Sequence, residues 1–358
     1  MTRFLAMFAA LAPFVVGCAG VPSAPGGRAD DRARAPAAPA GAPRDRIAIR
    51  VDTGEADAVL ALIDGGGRAG ADDAWRRLFD SQGYRRLKAR EAAMQRPFSD
   101  GEFRAFVLSP DLAARAPELR ASLARWSAAD LHASAARVLR YLPAEARIEA
   151  TVFPVIKPKE NSFVYLGEGL EPSIFLYIDP AVSEAKFENT VAHELHHIGF
   201  ASLPEEPCAS RPAVCAARTW TGGFGEGFAM LAAAGGPDVH PHRDSTPEDR
   251  ARWDRDVTRF DEDLARVQDF LRKVVGGELD EAGAQRAGME FFGVQGPWYT
   301  VGWTMAVAVE RCFGRAALVG AMRRPWTVLA RFNEAVERCP PAGPPPATWS
   351  RDLLAELD

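Results

Sequence analysis

Three of the chain's six histidines fall within five residues, in His193-Glu194-Leu195-His196-His197. This H-E-x-x-H pattern constrains the fold more than any other segment, because it has chemical meaning only on an α-helix. Positions four apart lie on one helical face, one turn up, so His193 and His197 can aim two imidazoles at a single metal ion. Glu194 then stands beside the ion. A carboxylate there can take a proton from a water whose pKa the metal has lowered toward neutrality. The flanking sequence supplies the helix: Phe187, Val191, Leu195 and Ile198 recur at spacings of four, four and three, which predicts an amphipathic helix over 183–198 with Gly199 as its stop.

A catalytic zinc usually takes three protein ligands and keeps a fourth position for water. Downstream candidates for the third are Glu205, Glu206, Glu226, Asp238, His240 and His242. Glu226 stands out, since it lies in Gly222-Gly223-Phe224-Gly225-Glu226-Gly227-Phe228-Ala229-Met230-Leu231, where glycines clear space and an apolar run starts a second helix. The bland alternative is an acid that merely favours a helix start. His240 and His242 sit in a Pro-rich turn, read as surface, and are the fallback ligands.

The pair HELHH and GEGFA resembles the gluzincin class of zinc peptidases. In that class the first motif gives two histidines and a general base, and a glutamate on the following helix gives the third ligand. Gly83-Tyr84-Arg85-Arg86-Leu87, Phe98-Ser99-Asp100-Gly101-Glu102-Phe103 and Gly296-Pro297-Trp298-Tyr299-Thr300-Val301-Gly302-Trp303 resemble segments of an uncharacterised bacterial family assigned by inference to zinc-dependent peptidases. That resemblance covers most of residues 46–335. It implies one Zn²⁺ per chain on His193, His197 and Glu226, with Glu194 as base and a peptide or protein as substrate. The interval between His197 and Glu226 is longer than in the compact thermolysin pattern and includes a cysteine-bearing loop.

Gluzincins commonly add a Tyr or His that donates a hydrogen bond to the developing oxyanion, a contact worth about 3 kcal/mol in the transition state. Tyr299, at the expected start of a helix running through Met305 to Glu310, is the candidate. Its alternative is a packing aromatic whose hydroxyl finds a backbone partner. His196, between the two ligands, is read as making a core or supporting hydrogen bond rather than a metal bond.

At the N-terminus, Arg3 precedes an apolar stretch from Phe4 to Val16 that ends Val15-Val16-Gly17-Cys18. Such a stretch is too short to span a bilayer and reads as a secretory signal, 1–17. The small residue before Cys18 resembles the lipobox of bacterial lipoproteins, which makes Cys18 a lipidation site and the chain a lipid-anchored envelope protein, facing the periplasm or on the outer membrane. An ordinary signal peptide cut near Ala19 is the alternative. Residues 18–45 are almost wholly Ala, Pro, Gly, Arg and Asp, with too little apolar area to offset ordering entropy, and read as a tether. Four further cysteines, Cys208, Cys215, Cys312 and Cys339, suit an oxidising compartment. Nearest-neighbour pairing, Cys208 with Cys215 and Cys312 with Cys339, is favoured among three connectivities, with chain-entropy gains of about 2–3 and 3–4 kcal/mol.

With 47% hydrophobic residues the remainder, 46–358, can bury a sizeable core as one domain, with an α/β part over 46–180 and a helical part over 181–358. The expected fold class is α+β and mostly helical: a small sheet, then the zinc helix, then a helical lobe, a zincin-like order. Strands are expected over 47–51, 148–156 and 173–178, the last either an edge on which an extended peptide could lie or an internal strand with no free edge. Helices are expected over 56–63, 72–79, 84–94 and 117–142, and a long apolar stripe runs from Trp253 to Val274. A short helix from Ser350 to Leu357 follows the Pro-rich segment. A net charge of −5 and the lack of a basic patch exclude nonspecific nucleic-acid binding, and nothing points beyond a monomer. The function expected is a zinc-dependent peptidase of the envelope. The alternatives are a zinc amidase acting on cell-wall peptides and a zinc-binding lipoprotein without activity.

Overall fold

The computed structural model describes residues 44–66, 71–165 and 171–358. The signal segment, Cys18 and nearly all of the tether lie outside them. After a 3₁₀ turn at Arg44–Arg46 come β1 (Ile47–Val51), α1 (Gly54–Asp64), α2 (Ala71–Asp80), α3 (Gln82–Ala93), α4 (Asp100–Val107), α5 (Pro110–Ser127) and α6 (Leu131–Leu139). Next are β2 (Ile148–Val155), β3 (Phe163–Tyr165), β4 (Ser173–Tyr177) and the zinc-motif helix α7 (Glu184–Ala201). The rest is helical: α8 (Pro212–Thr221), a 3₁₀ turn at Gly222–Phe224, α9 (Gly225–Ala234), α10 (Pro247–Val257), α11 (Phe260–Val275) and α12 (Glu281–Glu290). The series ends with α13 (Pro297–Phe313), α14 (Arg315–Met322), α15 (Pro325–Arg338) and α16 (Arg351–Leu357). The fold is thus α+β and mostly helical, with a small four-stranded sheet.

The sheet order is β1-β2-β4-β3. β1 pairs parallel with β2 in the register Ile47↔Ile148, β4 pairs parallel with β2 at Thr151↔Ser173, and β3 runs antiparallel to β4 at Phe163↔Phe175. Of the two placements the sequence leaves open for β4, the structure has the internal one, and the three-residue β3 takes the edge. β3 is too short for its alternation to register in sequence. β2 is buried on both faces from Ala150 to Val155, so its apolar residues do not simply alternate with polar ones. Phe153 and Val155 join Leu87, Phe163 and Phe175, while Ile148, Ala150 and Val152 join Val191 and Leu195 of α7. Glu55 of α1 is fully buried beneath the sheet, and its Oε2 accepts a hydrogen bond from Ile156 N at 3.0 Å.

Three expectations are corrected. The predicted helix over 117–142 is two helices displaced toward the N-terminus. Ser109 caps Leu112 N and Pro110 occupies the first turn, so α5 begins well before Pro117, and Asp130 accepts from Ala133 N to open α6. The stripe from Trp253 to Val274 is likewise split between α10 and α11, although Trp253, Phe260, Leu264, Val267, Leu271 and Val274 are all buried in one core. Gly199 does not stop α7, which continues to Ala201. A Cβ there would lie 2.3 Å from Leu142 Cδ1, so this glycine admits close packing rather than ending the helix. α4, which apolar periodicity does not predict, is marked instead by a full capping box between Ser99 and Glu102.

Candidate metal centre

Ser183 starts α7 by accepting a hydrogen bond from Lys186 N. The helix then buries Phe187, Val191, Leu195 and Ile198 in the core under the sheet, with Phe187 stacked on Trp126 at 4.5 Å between ring centroids. That anchoring turns His193 and His197 toward the helical part of the chain. There the backbone of α9 is pressed against α13. A Cβ at Gly227 would lie 2.1 Å from Trp303 N, and one at Gly223 would lie 2.5 Å from the Trp298 ring. The glycines around Glu226 do clear space, as their clustering predicts, and what they admit is α13.

Glu226, in the first turn of α9 and 5% exposed, faces both histidines. Its Oε2 lies 3.1 Å from His193 Nε2 and 3.2 Å from His197 Nε2, and the two Nε2 atoms are 3.1 Å apart. Among the described residues, His193, His197 and Glu226 form the group of His, Cys, Asp and Glu side chains able to hold a metal. The near-equilateral triangle fits zinc: four tetrahedral ligands at about 2.0 Å stand roughly 3.3 Å from one another. The donor chemistry fits as well. Glu226 Oε2 could accept from both imidazoles, but that leaves two N–H groups facing each other across the 3.1 Å between the Nε2 atoms, whereas a cation takes a lone pair from all three donors.

Glu194 is 6% exposed. Burial pushes its carboxyl above the usual carboxylate range, and the neighbouring His193 and His197 pull against that shift. For Glu226 burial acts in the same direction, but His197 and His193 outweigh it and hold the group below its ordinary value, ionised. The two acids therefore differ in their hold on a proton. Tyr299, in the first turn of α13, is 4% exposed; its ring lies parallel to that of His193 at 6.3 Å, with its hydroxyl on the Glu226 side. Burial first, then the charges of Glu226 and Glu194, drive the phenol well above its ordinary pKa, so it remains a donor.

His196 lies on another flank of α7, 1% exposed and against the Phe200 ring, outside the ligand triangle. Of the other candidates, Glu205 is exposed, Glu206 pairs with Arg323 and Arg324, and Asp238 pairs with Arg311. His240 is bound to Asp254 at 2.8 Å. His242, expected at the surface, is instead 2% exposed and bonded through Nδ1 to Ser245. The cysteines form Cys208–Cys215 and Cys312–Cys339, the nearest-neighbour pairing. The first closes the loop between α7 and α8, and the second ties the ends of α13 and α15.

Two histidines one turn apart, one buried and one half-buried, closed by a glutamate from a following helix and flanked by a second glutamate, make a site of the kind found in metal-dependent hydrolases. The family agrees. Residues 72–339 match the model of the family described as "Putative zinc dependent peptidase (DUF5700)", and the chain belongs to that family. No curated protein and no solved structure matches it.

Proposed function

We propose that the protein is a gluzincin-type, zincin-like zinc peptidase that hydrolyses peptide bonds in the bacterial envelope. The observation that carries this reading is the His193, His197 and Glu226 triangle with the buried, proton-avid carboxyl of Glu194 beside it. Zinc bound there would supply Lewis acidity and acidify water. Glu194 takes the proton of the attacking water and returns it to the leaving amine. The Tyr299 hydroxyl, near Glu226, donates to the oxygen on which negative charge develops. The short β3, which no strand pairs on its outer side among the described residues, supports a substrate laid along that edge.

The lipidated Cys18, the tether over 18–45 and a monomeric, periplasm-facing or outer-membrane address complete the proposal. Among the described residues no helix is long and apolar enough to cross a membrane. A zinc amidase acting on cell-wall peptides would use the same groups. A lipoprotein without activity would have no use for Glu194. The test is Glu194→Gln: peptide-library hydrolysis should disappear while zinc content stays at one per chain, and undiminished hydrolysis in the variant overturns the mechanism.

A further inference from the structure

We propose that the cavity between the end of α6 and α14, walled by Arg140, Arg315 and Arg323, binds the phosphate of an anionic lipid headgroup and so sets which face of the domain lies against the membrane. The proposal rests on the lipid anchor proposed above for its supply of headgroups, but its chemistry is independent of the metal.

Shape and charge coincide here. The cavity encloses about 490 Å³, more than a bare phosphate fills. Its walls carry three guanidiniums and no carboxylate, while Pro143, Ala316 and Val319 add apolar surface. That combination suits an oxyanion joined to aliphatic carbon. The planar fork of a guanidinium matches phosphate oxygens in pairs, and the group is more weakly hydrated than an ammonium, so it gives up water readily for such a ligand.

Two of the three arginines are held from behind. Arg315, the first residue of α14, donates through Nε to Glu310 Oε1 at 3.0 Å, and its guanidinium lies over the Tyr141 ring at 4.5 Å. The Tyr141 hydroxyl donates to the same oxygen at 3.1 Å, and Glu310 is buried. Arg323, just past the end of α14, is tied to Glu145 and, at 3.2 Å, to Glu206, which also accepts from Arg324. Around the cavity four arginines therefore meet three glutamates, and one positive charge is left over. It belongs to Arg140. Its Nε donates to Arg137 O at 3.5 Å, and no carboxylate pairs with it among the described residues. A cavity with fixed guanidiniums and an unmatched charge calls for an anion.

The place of the cavity in the chain favours a lipid over a soluble anion. Arg46 Nη2 donates at 2.9 Å to the carbonyl oxygen of Pro143, a wall residue, and Arg46 Nε donates to Ala146 O at 2.8 Å. Arg147 Nη1 in turn reaches Asp45 O at 3.1 Å. The 3₁₀ turn at Arg44–Arg46 is thus pinned to the rim of the cavity, and whatever is attached upstream of it is delivered to that rim. With acyl chains on Cys18, anionic headgroups stay within reach, so even a weak site is filled through local concentration. A headgroup bound there adds a second contact to the anchor. Two contacts fix a face where one does not.

The experiment titrates the full chain, in nonionic detergent, by calorimetry against water-soluble probes. These are glycerophosphoglycerol, an anionic headgroup without its acyl chains; glycerophosphocholine, its zwitterionic counterpart; inorganic phosphate; and an all-glutamate hexapeptide. Glycerophosphoglycerol should bind about tenfold more tightly than glycerophosphocholine, and more tightly than phosphate or the peptide. Arg140→Gln should weaken that binding about tenfold, and Arg140→Lys less. Arg331→Gln, whose residue pairs with Glu334 on α15, should leave it unchanged. Thermal unfolding checks each variant. If Arg140→Gln does not fold, Gly320→Asp decides, because a Cβ there meets nothing within 4 Å and its carboxylate on the cavity wall should abolish binding. Equal binding of the two headgroups, or binding that survives Arg140→Gln or Gly320→Asp, overturns the site. Phosphate binding as tightly as the anionic headgroup, or the peptide binding more tightly, overturns the lipid assignment in favour of a free anion or an acidic protein partner. The mass of the N-terminal residue reads the anchor separately. A chain without acyl groups on Cys18 that keeps the headgroup preference overturns the anchor and leaves the site standing, and an acylated chain without the preference gives the reverse.

Discussion

Gly227 is where the metal centre is most exposed to a single methyl group. It follows Glu226 on α9, and an alanine Cβ there would lie 2.1 Å from Trp303 N, 2.4 Å from Gly302 C and 2.6 Å from Tyr299 O. All three are backbone atoms of α13, so no side chain can swing aside. Reaching ordinary contact at 3.4 Å requires the helices to part by about 1.3 Å. Overpacking of this kind costs about 1–3 kcal/mol, against which alanine recovers up to about 1 kcal/mol of helix propensity. The larger effect falls on the site. Glu226 rides on one helix and Tyr299 on the other, while metal–ligand distances hold to within about 0.2 Å. Gly227→Ala should therefore weaken zinc binding at least tenfold in chelator competition and lower the thermal midpoint of the zinc-loaded protein. Gly225→Ala, two residues earlier with nothing within 4 Å of its Cβ and helical φ and ψ, is the control and should be neutral or slightly stabilising. A Gly227→Ala protein with wild-type zinc affinity and midpoint, or a Gly225→Ala protein equally damaged, refutes the claim that the α9–α13 contact sets the ligand geometry.

Tyr299→Phe should lower kcat by about a hundredfold with KM and zinc content little changed, as expected for loss of one oxyanion donor; a change in zinc affinity with kcat intact would make the hydroxyl a support for Glu226 instead. Glu55, whose carboxyl burial raises to about 8, binds its proton more tightly in the folded chain than in the unfolded one. Its contribution is complete below the ordinary carboxylate pKa and is lost as pH rises through about 8. Between pH 5 and 7 the stability of Glu55→Gln relative to wild type should rise by roughly 2–3 kcal/mol in urea unfolding, since each unit of unmatched titration is worth about 1.4 kcal/mol. The neighbouring Lys157, lowered to about 7, acts with opposite sign and mainly above that window. A flat difference curve would show that Glu55 is not held protonated.

Much of the site is legible in the sequence because its signals are local. The helical spacing of His193 and His197, the glycines around Glu226 and the placement of Tyr299 at a helix start each depend on a few neighbouring residues. The fold brings these groups together as the pattern suggests. β1, α16 and the two disulfides are readable for the same reason. The breaks at Asp130 and between α10 and α11 are harder to read because apolar periodicity runs on across them, while a cap depends on one side chain and one backbone N–H.

What the sequence by itself determined was therefore residue chemistry and local conformation: a two-histidine helix with a glutamate between the histidines, a further acid on a following helix, and an even set of cysteines. What only the tertiary structure decided was which distant surfaces meet. It put β3 rather than β4 at the sheet edge, pressed Gly199 against Leu142 and Gly227 against α13, and buried His242 over the first turns of the metal helix. The physical reason is range. Helix periodicity and capping are written into residues three or four apart, whereas strand order, close backbone approach and the burial of a polar ring depend on packing between segments that only the folded chain makes neighbours.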